Sequence, residues 1–228
     1  MTILLSSCNF IGGERVSGNG NVVTETRDVS DFSAVRVSSA IDLYVSQGDD
    51  YSVKVVTDEN LQPFVVVARE GKVLNIGPDR NMNLSGSAGI KVYVSAPLYE
   101  MLGASGASHI VAQTALKGQG LKLDISGAST ARAELDYTDI KITASGASSA
   151  EVTGQTATLD VECSGSSDFK GAGLTAVDAR VDISGASGAY VFVDRSLDAE
   201  ASGASEVVYD GGPKVNSRSS GASSVRAK

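Results

Sequence analysis

The 228-residue chain has no tryptophan, one histidine, two cysteines and four prolines, and only 5% of it is aromatic. With a single histidine and no helical periodicity, a serine-nucleophile elbow with a histidine partner is disfavoured. The cysteines form no CxxC pair or Cys/His cluster, which argues against a zinc site. No run of 18 apolar residues exists that could form a membrane-spanning helix.

Positive charge is also scarce, because 19 Lys and Arg face 27 Asp and Glu, for a net charge of -8 and a pI near 4.7. Proteins that bind nucleic-acid phosphates are usually basic, so the charge argues against a DNA or RNA partner. The chain is otherwise of ordinary globular composition, with 42% apolar and 20% charged residues. Glycine is frequent, at 25 residues, and the core is expected to use small and β-branched side chains.

A short S-G-[AS]-S word recurs along the chain and defines an internal repeat. Its glycines are 18 to 21 residues apart, so the period is about 19 residues. They are Gly86, Gly106, Gly127, Gly146, Gly165, Gly185, Gly203 and Gly221, of which Gly86 stands in a degenerate word. Leucine-rich and calcium-binding β-roll signatures are absent, and the pattern predicts a parallel β-helix, or β-solenoid, with one coil per repeat.

Apolar and polar residues alternate on both sides of each glycine, as in half-buried strands. Positions four and two before the glycine are mostly apolar, as in Leu123 and Ile125, and the position between them is polar. Cys163 occupies one of the inward positions and is predicted to be a small core residue. His109 falls in an outward column and is predicted to be solvated.

The SGAS words are interpreted as structural corners. Glycine supplies backbone angles that a Cβ forbids, and stacked serines could share hydroxyl hydrogen bonds between coils. Outward charges mostly alternate in sign from coil to coil, which predicts surface ion pairs such as Arg132 with Glu151 and Lys141 with Asp160.

Residues 22–98 are strand-like but less regular than residues 99–228, and together they are predicted to form one domain. Ser39 can be placed in the glycine column, which points Val37, Leu43 and Val45 inward. Residues 47–50 read as a turn. Residues 64–69 and 72–76 read as a β-hairpin closed by Glu70-Gly71.

Residues 1–21 are predicted to be a lipobox remnant followed by a flexible tether. Leu5-Ser6-Ser7-Cys8 resembles a bacterial lipobox, in which Cys8 would carry lipid, although most of the preceding signal is missing. The alternative is a chance LxxC sequence in a mobile terminus.

The lipobox, the segment FSAVRVSSAIDLYVSQGDDYSVKVVTDENL, the hairpin ending in KVLNI and the serial SGAS words resemble the auto-transporter adhesin head domain (GIN domain) family, a former domain of unknown function abundant in Bacteroidetes. The resemblance covers residues 22–228. It implies a β-helical fold, secretion to the cell envelope and an adhesive role, and it supplies no catalytic residues.

These features favour a non-enzymatic outer-membrane lipoprotein, facing the periplasm or the exterior, that presents a rigid solenoid for adhesion and needs no cofactor. The membrane would be contacted through the lipid, and the other partner would be a surface protein or a glycan. Tyr190, Phe192 and Val208 form a candidate contact patch, because outward positions become apolar there. The alternatives are that this patch mediates self-association or that its side chains are capped by neighbouring residues, and a homo-oligomer is a further expectation.

The competing hypothesis is a polysaccharide-active β-helix enzyme that uses the carboxylates of Glu162, Asp182 and Glu200, one coil apart. Missing tryptophan platforms, basic clusters and active-site loops disfavour it. The same acids could bind Ca²⁺, but a flat strand face offers few oxygen ligands. At the final coil, Arg218, Arg226 and Lys228 would discourage stacking on the open edge, or a second subunit would cover it.

Overall fold

The computed structural model describes residues 14–80 and 82–228, and it is almost entirely β-structure. Within these residues no helix is long and apolar enough to cross a membrane. A 3-10 helix covers Glu59–Phe64. The strands are β1 (Glu14–Ser17), β2 (Val22–Arg27), β3 (Ala34–Ser38), β4 (Ile41–Gln47), β5 (Ser52–Asp58), β6 (Val65–Glu70), β7 (Val73–Pro78), β8 (Met82–Ser85), β9 (Ile90–Ala96), β10 (Met101–Ser105), β11 (His109–Ala112), β12 (Leu116–Ile125), β13 (Thr130–Ala144), β14 (Ser149–Cys163), β15 (Asp168–Ile183), β16 (Gly188–Ala201), β17 (Glu206–Gly211), β18 (Lys214–Ser219) and β19 (Ser224–Ala227).

The regular part is a parallel β-solenoid, as the repeat predicts. Strands β12 to β16 pair in parallel in chain order, and most residues lie beside the residue one repeat later, apart from short irregularities in β14 and β15. Ala131 pairs with Ala150, which pairs with Phe169, and Phe169 pairs with Ala189. Each middle coil is one long bent strand of 14 to 16 residues, as in β13 to β16, and not two or three separate short strands.

The core follows the alternation of the sequence. Leu123, Ile142 and Val161 lie one above another and are at most 1% exposed. Burial of these columns removes apolar surface from water and stabilises the fold by about 25 cal/mol per Å² of buried apolar area. This gain drives the closure of each coil around the core. Cys163 is buried in the same column as Ala144, which confirms the prediction of a small core residue.

The SGAS corners form a continuous column along the solenoid axis. Gly146 has φ of +79°, and a Cβ placed on it would lie 2.7 Å from the carbonyl oxygen of Gly127 on the preceding coil. That carbonyl accepts a hydrogen bond from the backbone N–H of Ala147 at 2.7 Å. The same bond joins the later corners, for example from Ser166 to Gly146. The corner glycine therefore lets neighbouring coils approach closely.

The last serine of the SGAS words is buried in every coil but the last, and from Ser148 onward its hydroxyl closes its own turn. The hydroxyl groups of Ser148 and Ser167 donate to the carbonyls of Ser145 and Ser164, at 2.9 and 2.8 Å. The two hydroxyls are themselves 3.4 Å apart. The predicted ladder of hydroxyl bonds is thus secondary to the bonds within each turn.

The N-terminal part forms the first coils and closes one end of the solenoid. Strands β3 and β4 stack on β10 and β11, and Ser39, with φ of 65°, lies beside Gly106, as predicted. Val37, Leu43 and Val45 are buried, which confirms their inward placement. The next coil out contains β7 and β9.

Gly86 does not lie in the glycine column, so its assignment to the repeat was wrong. It belongs to an insertion between β7 and β9 that includes β8, and a Cβ on it would meet the carbonyl of Gly89 in its own turn. The word has the spacing of a repeat but lacks a neighbouring corner to stack on.

Antiparallel strands and the 3-10 helix cap this end. Strands β6 and β7 form the predicted hairpin, and β5 and β2 add to the edge of β9 in antiparallel orientation. Leu61 of the helix is fully buried. The side chain of Gln62 donates to the carbonyls of Val23 and Val55 at 3.2 and 3.0 Å. These contacts protect strand edges that would otherwise be open.

Residues 14–21 are attached to the cap, which corrects the prediction that the tether extends to residue 21. Strand β1 pairs in parallel with β8. The carboxylate of Asp58 then accepts hydrogen bonds from the backbone N–H of Gly20 at 2.6 Å and of Ser87 at 2.8 Å. Residues 1–13, and with them Cys8, lie outside the described residues.

The opposite end of the solenoid carries β18 and β19, which pair only with the preceding coil. Most of their side chains are exposed. Arg218 and Arg226 form ion pairs back to Glu200 and Glu206, at 2.9 and 2.8 Å, and Lys228 lies 3.7 Å from Asp210. Acids of the preceding coil therefore neutralise these cations.

Candidate binding surface

One of the columns of outward-facing positions extends from the capped end to the last coil, and we call it the tyrosine column. Strand pairing places its members side by side, one per strand. Its members are Lys54, Tyr93, Tyr44, Val111, Arg132, Glu151, Lys170, Tyr190, Val208 and Arg226. Neighbouring strands lie about 4.8 Å apart, so the column presents evenly spaced groups on a rigid support.

The predicted contact patch lies near the C-terminal end of this column. Tyr190 is 42% exposed, and Phe192, two residues along β16, is half-buried. Val208 lies beside Tyr190, as the repeat predicts, but it is only 6% exposed. It sits between the longer side chains of Tyr190 and Arg226, so it contributes little accessible apolar surface.

The structure adds a second aromatic group at the capped end, which the sequence analysis missed. The rings of Tyr44 and Tyr93 stack at a centroid distance of 4.8 Å and an interplanar angle of 14°. A signal was present, because residues 41–46 and 90–95 read IDLYVS and IKVYVS, and these two segments pair in register. Their pairing is hidden in the sequence by the hairpin between them.

A groove opens beside the β6–β7 hairpin, where Arg36 of β3 crosses the surface. Its volume is about 570 Å³, and Val66, Asn75 and Arg80 contribute to its wall. The side chain of Arg36 lies over Gly103, which has no side chain to obstruct it. Repeat spacing could not reveal this groove, because β6 and β7 lie outside the repeats.

The carboxylates considered for catalysis lie in one exposed column but do not form a shared site. Glu162 lies beside Asp182, which lies beside Glu200. Glu162 pairs with Lys141 at 2.7 Å, and Glu200 pairs with Arg218. Within the described part of the chain, no group of three or more His, Cys, Asp or Glu residues could hold a metal ion. These contacts describe surface ion pairs.

The predicted charge ladders are present in part. Arg132 and Glu151 are 2.8 Å apart, and Lys141 lies 3.1 Å from Asp160. Such solvent-exposed pairs contribute little to stability, because water screens the charges. They do keep like charges apart along the stacked coils.

Neither His109 nor Cys163 has a reactive environment. The Nδ1 atom of His109 is 2.7 Å from the hydroxyl oxygen of Thr130, and the ring is exposed, as predicted. Burial raises the pKa of the Cys163 thiol to about 12, and the nearby Asp168 carboxylate adds to the effect. The thiol is therefore protonated at neutral pH and a poor nucleophile.

The stacked corners and outward columns define a β-solenoid that displays an extended surface. Residues 31–213 match the family model described as "Putative auto-transporter adhesin, head GIN domain", and the chain belongs to this family. This finding confirms the family resemblance in the sequence.

Solved structures share the fold. A "putative adhesin" from Bacteroides fragilis has a TM-score of 0.89 at 14% identity, covering 93% of this chain and 100% of its own. A "putative adhesin" from Parabacteroides merdae has a TM-score of 0.75 at 21% identity, over 95% and 100% of the two chains. A "putative lipid binding protein" from Parabacteroides distasonis has a TM-score of 0.79 at 20% identity, over 94% and 100%. No curated protein matches the chain by sequence.

Proposed function

We propose that the protein is a non-enzymatic adhesin of the cell envelope, in which the solenoid is a rigid support for a binding surface. The observation that carries the proposal is the tyrosine column, whose strand register continues from the capped end to the last coil, with Val208 as its one buried member. Membership of an adhesin head family supports it. The carboxylates of Glu162 and Glu200 are held in ion pairs with Lys141 and Arg218, which favours a binding role over catalysis of hydrolysis.

Lipid attachment at Cys8 completes the proposal and places the protein at the outer membrane. Five residues separate Cys8 from β1, and they span at most about 18 Å when extended. Since β1 is held against the cap, the capped end would face the membrane and the last coil would point away. The tyrosine column would then run outward from the bilayer.

Adhesion is tested by comparing bacteria that carry the gene with a deletion strain on surfaces coated with glycans or with proteins. We expect the deletion strain to adhere less to at least one surface, and the soluble protein to compete for it. The same surfaces should lose no glycan on exposure to the protein. Equal adhesion of both strains to every surface, or release of sugar from the coating, would contradict the proposal.

Lipidation is tested separately by metabolic labelling with an alkyne fatty acid in a bacterial host that expresses the gene. The label is expected on the wild-type protein and absent from the Cys8→Ser variant. A wild-type protein without label, or a variant that keeps it, would rule out this anchor.

A further inference from the structure

We propose that Tyr190 and its neighbours form a subsite for one sugar ring of a neutral glycan. We call this group the Tyr190 platform, and it consists of Asp168, Lys170, Gly188 and Tyr190. The inference rests on the proposed adhesive function and names the class of ligand. It is carried by the orientation of one ring and by the polar groups beside it.

The ring of Tyr190 lies back along its own strand, over Gly188. A Cβ placed on Gly188 would be 3.8 Å from the Cε2 atom of Tyr190, although the two residues are two positions apart on one face of β16. An upright side chain would not approach so closely. Because Gly188 has no side chain, the ring can lean over the sheet, and it remains 42% exposed. An exposed aromatic face is an apolar surface on which the C–H groups of a sugar can pack.

A carboxylate and an ammonium group stand beside this ring on the preceding coil. Asp168 is the strand partner of Gly188, and its Oδ1 atom would lie 2.7 Å from a Cβ at that position. Lys170 is the strand partner of Tyr190. Neither side chain makes a hydrogen bond or an ion pair with another described residue, whereas Glu206 on the following coil is engaged by Arg226. The platform therefore offers an acceptor and a donor for hydroxyl groups.

The surroundings favour a sugar over a protein surface. The centre of a specific protein interface is depleted of charge and well supplied with contiguous apolar area. Here the apolar neighbour Val208 is buried, and Asp168 and Lys170 are charged. The large hydrophobic residues that are exposed lie scattered over the solenoid: Val22, Tyr51, Val66, Leu98, Val177 and Tyr190.

The charges favour a neutral sugar over an acidic one. Asp168 and Lys170 cancel each other, and the chain as a whole carries a net charge of -8. A polyanionic glycan would be attracted by Lys170, but it would be repelled by the Asp168 carboxylate and by the net negative charge of the protein. A neutral pyranose would use both groups as hydrogen-bonding partners at no such cost.

The test measures binding of the whole protein to an array of neutral pyranose oligosaccharides of gluco, galacto and manno configuration. A sugar that binds is then titrated into protein with ¹³C-labelled tyrosine rings, since the chain has no tryptophan and only seven tyrosines. We expect the Tyr190 ring signals to shift and those of Tyr44 and Tyr93 to stay. The Tyr190→Ser variant should bind at least about tenfold more weakly.

Two further variants separate the ring from its orientation. Gly188→Val keeps Tyr190, but its side chain would displace both the Asp168 carboxylate, 2.7 Å from the new Cβ, and the ring above it, and it should weaken binding as much as Tyr190→Ser. Val177→Ser removes another exposed apolar side chain away from the platform and should bind like the wild type. Circular dichroism and urea unfolding show whether each variant is folded. If Gly188→Val fails to fold, the affinity of Tyr190→Ser relative to the wild type decides whether the proposal holds.

The proposal is overturned if no neutral oligosaccharide binds, or if the Tyr190→Ser protein binds as tightly as the wild type. Binding that is confined to acidic glycans would also overturn it. These outcomes are distinct from failure of the adhesive function. Bacteria could still adhere through the protein, to a protein-coated surface for example, while the Tyr190 platform binds no sugar.

Discussion

At the scale of single residues, the corner glycines explain why the chain repeats one tetrapeptide. Positive φ alone accepts other residues with some strain, as Ser39 shows at the capped end of the column. From Gly146 onward, the carbonyl oxygen of the preceding corner also lies too close to leave space for a Cβ. Conformation and packing therefore require glycine together. This double requirement accounts for the persistence of the word in coils whose other residues differ.

Substitution of a corner glycine is expected to destabilise the protein more than substitution of a strand glycine. In Gly146→Ala, the new Cβ would be 2.7 Å from the oxygen of Gly127 at a φ of +79°, and we expect a loss of about 2–4 kcal/mol in the free energy of unfolding. Gly120→Ala is the matched control, because nothing lies within 4 Å of its Cβ, and its change should be within about 0.5 kcal/mol. Urea unfolding measures both. Equal changes would refute the packing argument.

The buried thiol of Cys163 should be unreactive in the folded protein. Because burial raises its pKa to about 12, the folded state holds this proton more tightly than the unfolded chain does. Its contribution to stability is complete below about pH 8.5 and declines as the pH rises toward 12. In a Cys8→Ser background, a thiol reagent at pH 8 should react only after addition of urea. Rapid reaction of the native protein would show that this side chain is accessible.

At the scale of structural elements, the two ends of the solenoid differ. The regular coils all share one arrangement, in which the strands of successive coils pair in parallel. The cap uses antiparallel strands and the 3-10 helix, and these elements have no counterpart in the repeat. The insertion that contains β8 has a further role, because β8 pairs with β1 and so attaches the first described strand to the cap.

The cap should depend on Leu61. Replacing this fully buried side chain with serine should cost about 2–5 kcal/mol and expose strand edges that promote association. Leu98→Ser is the matched control, since Leu98 is 38% exposed. Urea unfolding and light scattering report the two effects. A Leu61→Ser protein as stable and as monodisperse as the control would show that the helix is not a required cap.

The attachment of residues 14–21 should depend on the ionised carboxylate of Asp58. The hydrogen bond from the Ser87 hydroxyl is the main cause that lowers the pKa of this carboxyl, opposed by burial and helped by backbone N–H groups. Since the pKa is lowered on folding, the attachment is complete above the ordinary value of about 3.9 and weakens as the pH falls through the lowered value. The amide signals of Gly20 and Ser87 should titrate together with a midpoint below that value.

The Asp58→Ala variant should increase amide exchange across residues 14–21 at neutral pH. Asp50→Ala, in an exposed turn, serves as the control. Unchanged exchange in the Asp58 variant would mean that pairing of β1 with β8 is sufficient to hold the segment.

At the scale of the whole molecule, repeat length determined how much could be predicted. Equal spacing fixes the register of Gly127, Gly146 and Gly165, and the inward and outward columns follow from it. Where spacing breaks, register is lost. The hairpin between β4 and β9 breaks the spacing, and the Tyr44–Tyr93 stack was missed for this reason. Gly86 is the converse case, because its word has the spacing of a repeat but lies in the insertion that contains β8.

The candidate site was predicted less completely than the fold. The sequence places Tyr190 beside Val208 but does not reveal that the ring leans over Gly188 or that Val208 is covered. Both depend on side-chain direction, which alternation alone does not determine. The groove at Arg36 depends on the path of the β6–β7 hairpin, which also lies outside the repeat.

The central claim is that successive coils are joined corner to corner through their backbones. NMR scalar couplings across hydrogen bonds test it directly, because they identify the carbonyl that each amide contacts. We expect the amides of Ala147, Ser166 and Ala186 to couple to the carbonyl carbons of Gly127, Gly146 and Gly165, respectively. Couplings to carbonyls within the same turn, or corner amides that exchange freely with water, would contradict the account.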